Sequence, residues 1–350
     1  MRLAIDVMGG DHAPDAILKG CLDALPNLAP EDTMVLVGPR PLIEDFLNER
    51  RVTDPRLEIV HAPDVIDMGE SAARAVRAKP ESSIVKMAWL GSTKAPEHLR
   101  CNAVLSAGNT GACVSAAIMQ MKRLRLVHRP GIAVTIPAFG GPVVLIDAGA
   151  NPEPRAAHLW QYALMADEYA RHVLRIENPR VAQMNIGAEE AKGTELVKQT
   201  RKLLEATPSL NYIGYIEGRE FFETAADVVV MDGFVGNTLL KMAEGLAKTL
   251  FAHIATEIFT ANPDLAMQLE PIVKGMWSKR DYHEHGGAPL LGVNGGMLIA
   301  HGSSERRTIV AAVKRMREYV LTGVNDAILA RLSEASTMPE LARMMDTDQE

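Results

Sequence analysis

At 350 residues and 47% hydrophobic, the chain is long and apolar enough for one large domain or two smaller ones with a sizeable core. A formal charge of −7 argues against a bulk nucleic-acid binder, and three cysteines without CxxC spacing point to neither a disulfide framework nor a zinc site. The N-terminus enters a strand at once, and no stretch approaches the roughly 20 apolar residues of a membrane span, so a soluble cytoplasmic protein is expected.

Residues 3–8 read as a short strand, closed by Gly9-Gly10-Asp11-His12-Ala13-Pro14 before a helix with apolar positions at Ile17, Leu18, Cys21, Leu22 and Leu25. Asp6 falls at the strand end and Asp11 in the turn. Two glycines, two aspartates and a histidine within seven residues exceed what a turn needs. Strands are expected over 34–39 and 57–60 and helices over 41–48, 72–76 and 82–90.

A strand over 103–105 then runs into Ser106-Ala107-Gly108-Asn109-Thr110-Gly111 and a small-residue helix from about Ala112. A buried strand passing through a Gly-rich turn into a helix leaves backbone N–H groups free at the positive end of the helix dipole. Ser106, Asn109 and Thr110 add side-chain donors, while Gly108 and Gly111 permit close approach. Such a turn suits an oxyanion, although an ordinary βα turn has the same composition. The basic run from Lys122 to Arg129 follows, either as charge at a helix C-terminus or as a docking patch for an acidic partner.

Strands over 131–136 and 142–146 lead into Asp147-Ala148-Gly149-Ala150-Asn151, and helix 158–174 follows. Further strands at 181–187, 212–218 and 226–231 also end in polar, Gly-bearing loops, the last in Asp232-Gly233-Phe234-Val235-Gly236-Asn237. This alternation predicts a parallel α/β sheet covered on both faces, with the polar strand ends converging on one edge. That recurrence favours the anion site over a plain turn.

From 239 to 282 the pattern changes to an amphipathic helical hairpin, with Leu246, Leu250, Ile254 and Ile258 at i, i+4 spacing and a break at Asn262-Pro263. Two helices packed on each other or across a homodimer interface account for it. So does a projecting hairpin whose apolar face meets a membrane surface or an acyl chain. A Gly-dense run over 285–296 leads to a strand end at His301, and one closing helix is expected over 306–332.

Seven segments in order resemble the bacterial phosphate acyltransferase (PlsX) family: D-V-M-G-G-D-H-A-P at 6–14, S-A-G-N-T-G-A at 106–112, D-A-G-A-N at 147–151, N-I-G-A-E-E-A-K-G at 185–193, D-G-F-V-G-N at 232–237, G-G-A-P-L-L-G at 286–292 and H-G-S-S at 301–304. His285 stands where the pattern calls for Tyr. The resemblance implies a three-layer Rossmann-like α/β/α fold akin to phosphotransacetylases and isopropylmalate dehydrogenases. It implies one α/β domain over 1–335 that includes the hairpin, with a tail over 336–350. It also implies an acyl-ACP:phosphate acyltransferase that needs no cofactor or metal. Its partners would be acyl carrier protein, inorganic phosphate and a second copy of itself. Peripheral membrane contact would pass acyl-phosphate to a membrane glycerol-3-phosphate acyltransferase.

On that reading phosphate attacks the thioester directly, so the enzyme supplies positioning and charge stabilisation rather than a nucleophile. Phosphate is assigned to Ser106, Gly108, Asn109, Thr110 and Gly111. Lys192 and Asn237 stabilise its charge or the tetrahedral oxyanion, and His301 orients phosphate or protonates the leaving thiolate. Asp6, Gly9, Gly10, Asp11, Asp147, Asn151 and Asp232 hold the loops. Phe251, Ile258, Phe259, Met276 and Trp277 are candidates for acyl, carrier-protein or membrane contact. A phosphotransacetylase acting on acyl-CoA is the nearest alternative, and a membrane-associated scaffold for acyl carrier protein the non-enzymatic one.

Overall fold

The computed structural model describes residues 1–223, 225–280 and 286–338, with the side chains of 274 and 276–280 excepted. The expectations on His285, on the side chains of Met276 and Trp277, and on the tail beyond 338 therefore lie outside the described residues. Alternation along each strand builds two faces. In β1 (Arg2–Asp6) Leu3 and Ile5 face one helical layer and Ala4 the other. In β9 (Val228–Val230) Val229 faces opposite to its neighbours.

The remaining strands are β2 (Thr33–Gly38), β3 (Leu57–His61), β4 (Ala103–Ser106), β5 (Gly131–Ala138), β6 (Gly141–Ile146), β7 (Arg180–Met184), β8 (Asn211–Ile216), β10 (Ala288–Leu291) and β11 (Gly296–Ile299). They form one eleven-stranded sheet in the order β3-β2-β1-β4-β11-β10-β5-β6-β9-β7-β8. Helices α1 (Asp15–Ala24), α2 (Arg40–Glu49) and α10 (Arg306–Leu321) cover the back of the first half, and α6 (Ala156–His172), α7 (Glu195–Glu205) and α11 (Val324–Ser336) cover the back of the second. The front carries α3 (Ala72–Ala78), α4 (Ser83–Leu90) and α5 (Thr110–Ala116) on one half and the first turns of α8 (Gly233–Ala261) on the other.

The sheet is mostly parallel, as expected, with an antiparallel seam at its centre. β10 runs antiparallel to both β11 and β5, and β5 antiparallel to β6. Strands β6, β9, β7 and β8 therefore point opposite to β1–β4 and β11. The polar strand ends do not share one edge as expected. Asp6, Ser106 and His301 leave one edge, and Asp147, Asn185 and Asp232 leave the other. Residues that follow these ends, Thr110 on one half and Asn237 on the other, line one cleft together with His301 and residues of β5, β10 and β11. The short β10 hides in the Gly-dense run, where Gly and Pro mask its pattern. The single closing helix is two helices, because Gly323 at φ +62 ends α10 and opens α11.

Helix α8 has 29 residues, of which only Gly233 and Gly236 are buried. With α9 (Pro263–Arg280) it forms a hairpin that leaves Met242, Leu246, Leu250 and Ile254 exposed along one stripe. No helix among the described residues is long and apolar enough to cross a membrane.

Candidate functional site at the seam of the sheet

On the first half, Ser106 and Asp6 are both buried, and the Ser106 hydroxyl donates to Asp6 Oδ2 at 2.7 Å while accepting the Gly108 N–H at 3.0 Å. Burial pushes the Asp6 carboxyl up, opposed by the hydrogen bonds it accepts from the Ser106 hydroxyl and the Met8 N–H. Gly9 packs so closely on this turn that a Cβ there would lie 2.6 Å from the Gly108 nitrogen. Gly10 lies against the Gly302 carbonyl, which accepts the Asp11 N–H at 2.7 Å. Asn109 caps α5 by accepting the Ala112 N–H at 3.0 Å, and its amide donates to the carbonyls of Met68 at 2.9 Å and Glu70 at 3.0 Å. Ser106 and Asn109 thus use their polar groups inside the protein and hold the loop's shape. Thr110 and Gly111 are exposed, Gly108 is buried, and of the five only Thr110 lines the cleft.

On the second half, Asp147 is fully buried and accepts four backbone N–H groups: Ile132 at 2.9 Å, Gly149 at 3.2 Å, Ala150 at 3.0 Å and Asn151 at 2.6 Å. Burial raises its carboxyl, and those donors work the other way. Asn151 donates its amide to the Pro130 carbonyl at 2.7 Å and to the Tyr162 hydroxyl at 2.6 Å, and its own carbonyl accepts the Gly233 N–H at 2.9 Å. Asp232 caps α8 by accepting the Val235 N–H at 2.8 Å. Asp147, Asn151 and Asp232 together seat the first turn of α8, which presents Asn237.

Between the halves lies a cleft of about 110 Å³, floored by Ile132, Val134, Ala288 and Ile299. Thr110 stands on one wall, Asn237, Lys241 and Glu244 on the other, and His301 at the end of β11. The Lys241 ammonium lies 2.8 Å from His301 Nε2 and 3.1 Å from Glu244 Oε2. His301 Nδ1 is 2.8 Å from the Ser303 hydroxyl. Lys192 is not among the lining residues. It sits half-exposed on the loop after β7, paired with Glu189 at 2.9 Å. The structure therefore brings Asn237 and His301 together and leaves Lys192 on a neighbouring loop.

Lys241 and Glu244 escaped the sequence reading. The signal was present: Asn237, Lys241 and Glu244 fall at i, i+4, i+7 on one helix face. The apolar spacing that marks the hairpin does not include either residue, so the periodicity that reveals the helix does not single them out. Phe259 is exposed on the hairpin, whereas Phe251 and Ile258 are half-buried. The basic run from Lys122 to Arg129 belongs to no helix; it forms the irregular connection into β5, bridged to Val293 at Arg123.

The three-layer α/β/α arrangement is shared with solved phosphotransacetylases. One from Streptococcus pyogenes superposes with a TM-score of 0.63 at 16% identity, covering 92% of this chain and 94% of that one. A branched-chain phosphotransacylase from Enterococcus faecalis gives 0.52 at 15% identity, covering 91% and 98%. At sequence level, residues 1–327 match the family described as "Fatty acid synthesis protein". The chain is 41% identical over 337 residues to a phosphate acyltransferase of Dictyoglomus turgidum, covering 95% of this chain and 98% of the relative. It is 42% identical over 344 residues to one of Desulfitobacterium hafniense, covering 97% and 100%. The fold is thus that of the phosphotransacetylases. Within it, the chain belongs to the phosphate acyltransferase (PlsX) family.

Proposed function

We propose that the protein transfers a fatty acyl group from acyl carrier protein to inorganic phosphate, releasing acyl-phosphate for phospholipid synthesis. The observation that carries this reading is the cleft itself, where Thr110, Asn237, Lys241 and His301 project over an apolar floor at the seam of two opposed half-sheets. Polar donors above an apolar floor suit a phosphate meeting an acyl thioester. The reading needs no acyl-enzyme. All three cysteines are buried, and burial pushes the Cys113 thiol up to about 12 and Cys101 to about 11, which makes them poor nucleophiles at neutral pH.

Phosphate sits between Thr110 and the Asn237–Lys241 face. Its oxygen attacks the thioester carbonyl, donors on both walls stabilise the tetrahedral oxyanion, and His301 stands beside the departing sulfur. Lys192, on the loop next to the start of α8, supplies a second positive charge at the mouth. The basic connection from Lys122 to Arg129 docks the acidic carrier protein. The apolar stripe of α8 meets a membrane surface or the second copy of a homodimer, so that acyl-phosphate passes to a membrane glycerol-3-phosphate acyltransferase.

The test is to incubate the protein with long-chain acyl-ACP and inorganic phosphate, following free thiol and trapping acyl-phosphate with hydroxylamine. Phosphate-dependent thiol release with hydroxamate formation is expected. Release from acyl-CoA but not acyl-ACP moves the donor to the coenzyme, and silence with both overturns the reading.

A further inference from the structure

We propose that Glu244 recognises the protonated oxygen of hydrogen phosphate and so selects phosphate over oxyanions that carry no proton. The inference rests on the acyl-phosphate reading and assigns the specificity of that site. Glu244 lines the cleft with its side chain 21% exposed, and its Oε2 is paired with Lys241. Its Oε1 is buried and has no hydrogen-bond partner among the described residues.

An ionised carboxylate can only accept hydrogen bonds, so whatever satisfies Oε1 must bring a proton. Lys241 is the only Lys or Arg among the described residues lining this cleft, and it draws an anion in. The carboxylate oxygen beside it then repels any anion that arrives fully ionised. Hydrogen phosphate has a P–OH to give to Oε1 and ionised oxygens to offer Lys241. Sulfate, with the same shape and charge, has no such proton. Lys241 admits tetrahedral anions, and Glu244 chooses among them.

The same contact closes the proton balance of the transfer. An ionised oxygen of hydrogen phosphate forms the new O–C bond, and the C–S bond breaks with its electron pair leaving on sulfur. Acylation makes the remaining P–OH more acidic. Glu244 Oε1 takes that proton, which ends on the departing thiolate beside Lys241 and His301. Hydrogen phosphate and thioester thus become acyl-phosphate dianion and thiol, with the net charge unchanged.

The experiment compares phosphate, arsenate and sulfate on the unaltered enzyme and on Glu244→Gln. Thiol release from acyl-ACP and calorimetric binding of each anion are the two readouts. In the unaltered enzyme arsenate, which also carries a proton, is expected to replace phosphate, while sulfate competes at least about tenfold less well, as befits a site built around one hydroxyl donor. Glu244→Gln is expected to lower that preference by about tenfold or more with an unchanged melting temperature. The inference is overturned if a folded Glu244→Gln keeps the original preference. Sulfate matching arsenate on the unaltered enzyme overturns it without recourse to any variant. Absence of phosphate-dependent thiol release by the unaltered enzyme defeats the acyl-phosphate reading instead, and the inference falls with it.

Discussion

The ammonium of Lys241, on the third turn of α8, stands 2.8 Å from Nε2 of His301 at the end of β11, and this contact joins the two oppositely directed halves of the sheet. An ammonium only donates, so Nε2 accepts from Lys241, while Nδ1 faces Ser303, 2.8 Å from its hydroxyl and 3.3 Å from its backbone nitrogen. Lys241→Met removes a charged donor from the cleft. Its kcat/KM for phosphate is expected to fall by about 10²–10³, as for loss of one oxyanion donor. Steady-state thiol release at varied phosphate checks this, and activity within a few-fold of the original removes Lys241 from the mechanism.

Lys192 offers a contrasting test. Its ammonium is held by an exposed glutamate, so Lys192→Ala is expected to leave the melting temperature within about the ±0.5 kcal/mol typical of surface substitutions. On the proposed reading turnover nevertheless drops by about 10² or more, because the substituted group acts on developing charge and not on the fold. Retained turnover would assign the site's positive charge to Lys241 alone.

Asp147 is a stability element as much as a site element. Replacing it with Ala removes the acceptor of four backbone N–H groups, the buried one of Ile132 in β5 and the part-buried ones of Gly149, Ala150 and Asn151, each at roughly 1–3 kcal/mol at most. A loss on the order of 4 kcal/mol is expected in urea denaturation, with α8 losing its seat and activity falling in parallel. Asp147→Asn, which keeps one acceptor oxygen, is expected to lose less.

The acid limb of stability is readable at Asp32. Burial alone would raise its carboxyl, but Arg317 at 2.7 Å, the Met1 ammonium at 2.9 Å and the Ala29 N–H outweigh it and hold it at about 2, below the ordinary 3.8. A folded-state value below the unfolded one gives stability that is complete above pH about 4 and is lost as pH falls toward 2. The shift amounts to about 2 kcal/mol at neutral pH. Urea midpoints between pH 7 and the acid limit check it, and Arg317→Gln is expected to flatten this contribution.

The stripe of Met242, Leu246, Leu250 and Ile254 contributes little to the monomer's core. Leu246→Glu with Leu250→Glu is expected to change unfolding free energy by under about 1 kcal/mol while abolishing co-sedimentation with anionic vesicles. Unchanged sedimentation together with a loss of dimer would give the stripe to the subunit interface.

Most strands and helices were legible because apolar runs and helical spacing dominate this chain, and the turn from Ser106 to Gly111 announced itself by composition. Direction was harder to read. The two-residue connection Phe139-Gly140 between β5 and β6 dictates a reversal, since parallel strands need a long crossover; read as one more step of the alternation, it left the strand ends on one edge. Side-chain roles in the loops were also hidden. Ser106 and Asn109 carry donors that suit phosphate, yet packing turns them onto Asp6 and onto the carbonyls of Met68 and Glu70. Conversely, Lys241 and Glu244 look like any charged pair on a long helix until α8 is laid across the sheet. Asn237 and His301 were found because each directly follows or opens a motif at a strand end.

The pairing of β4 with β11 has a consequence for how the protein comes into being. Residues 103–106 leave the ribosome long before 296–299, yet the two strands are neighbours in the finished sheet. His301, the carboxyl-ward neighbour of β11, reaches the cleft only after the hairpin has been synthesised and β10 has turned back on β5. Thr110 and Asn237 are then already in the growing chain, waiting for a partner strand that arrives near the end of translation. An unfinished polypeptide therefore carries Thr110 and Asn237 without His301, and the cleft takes its shape only when the last strands are in place.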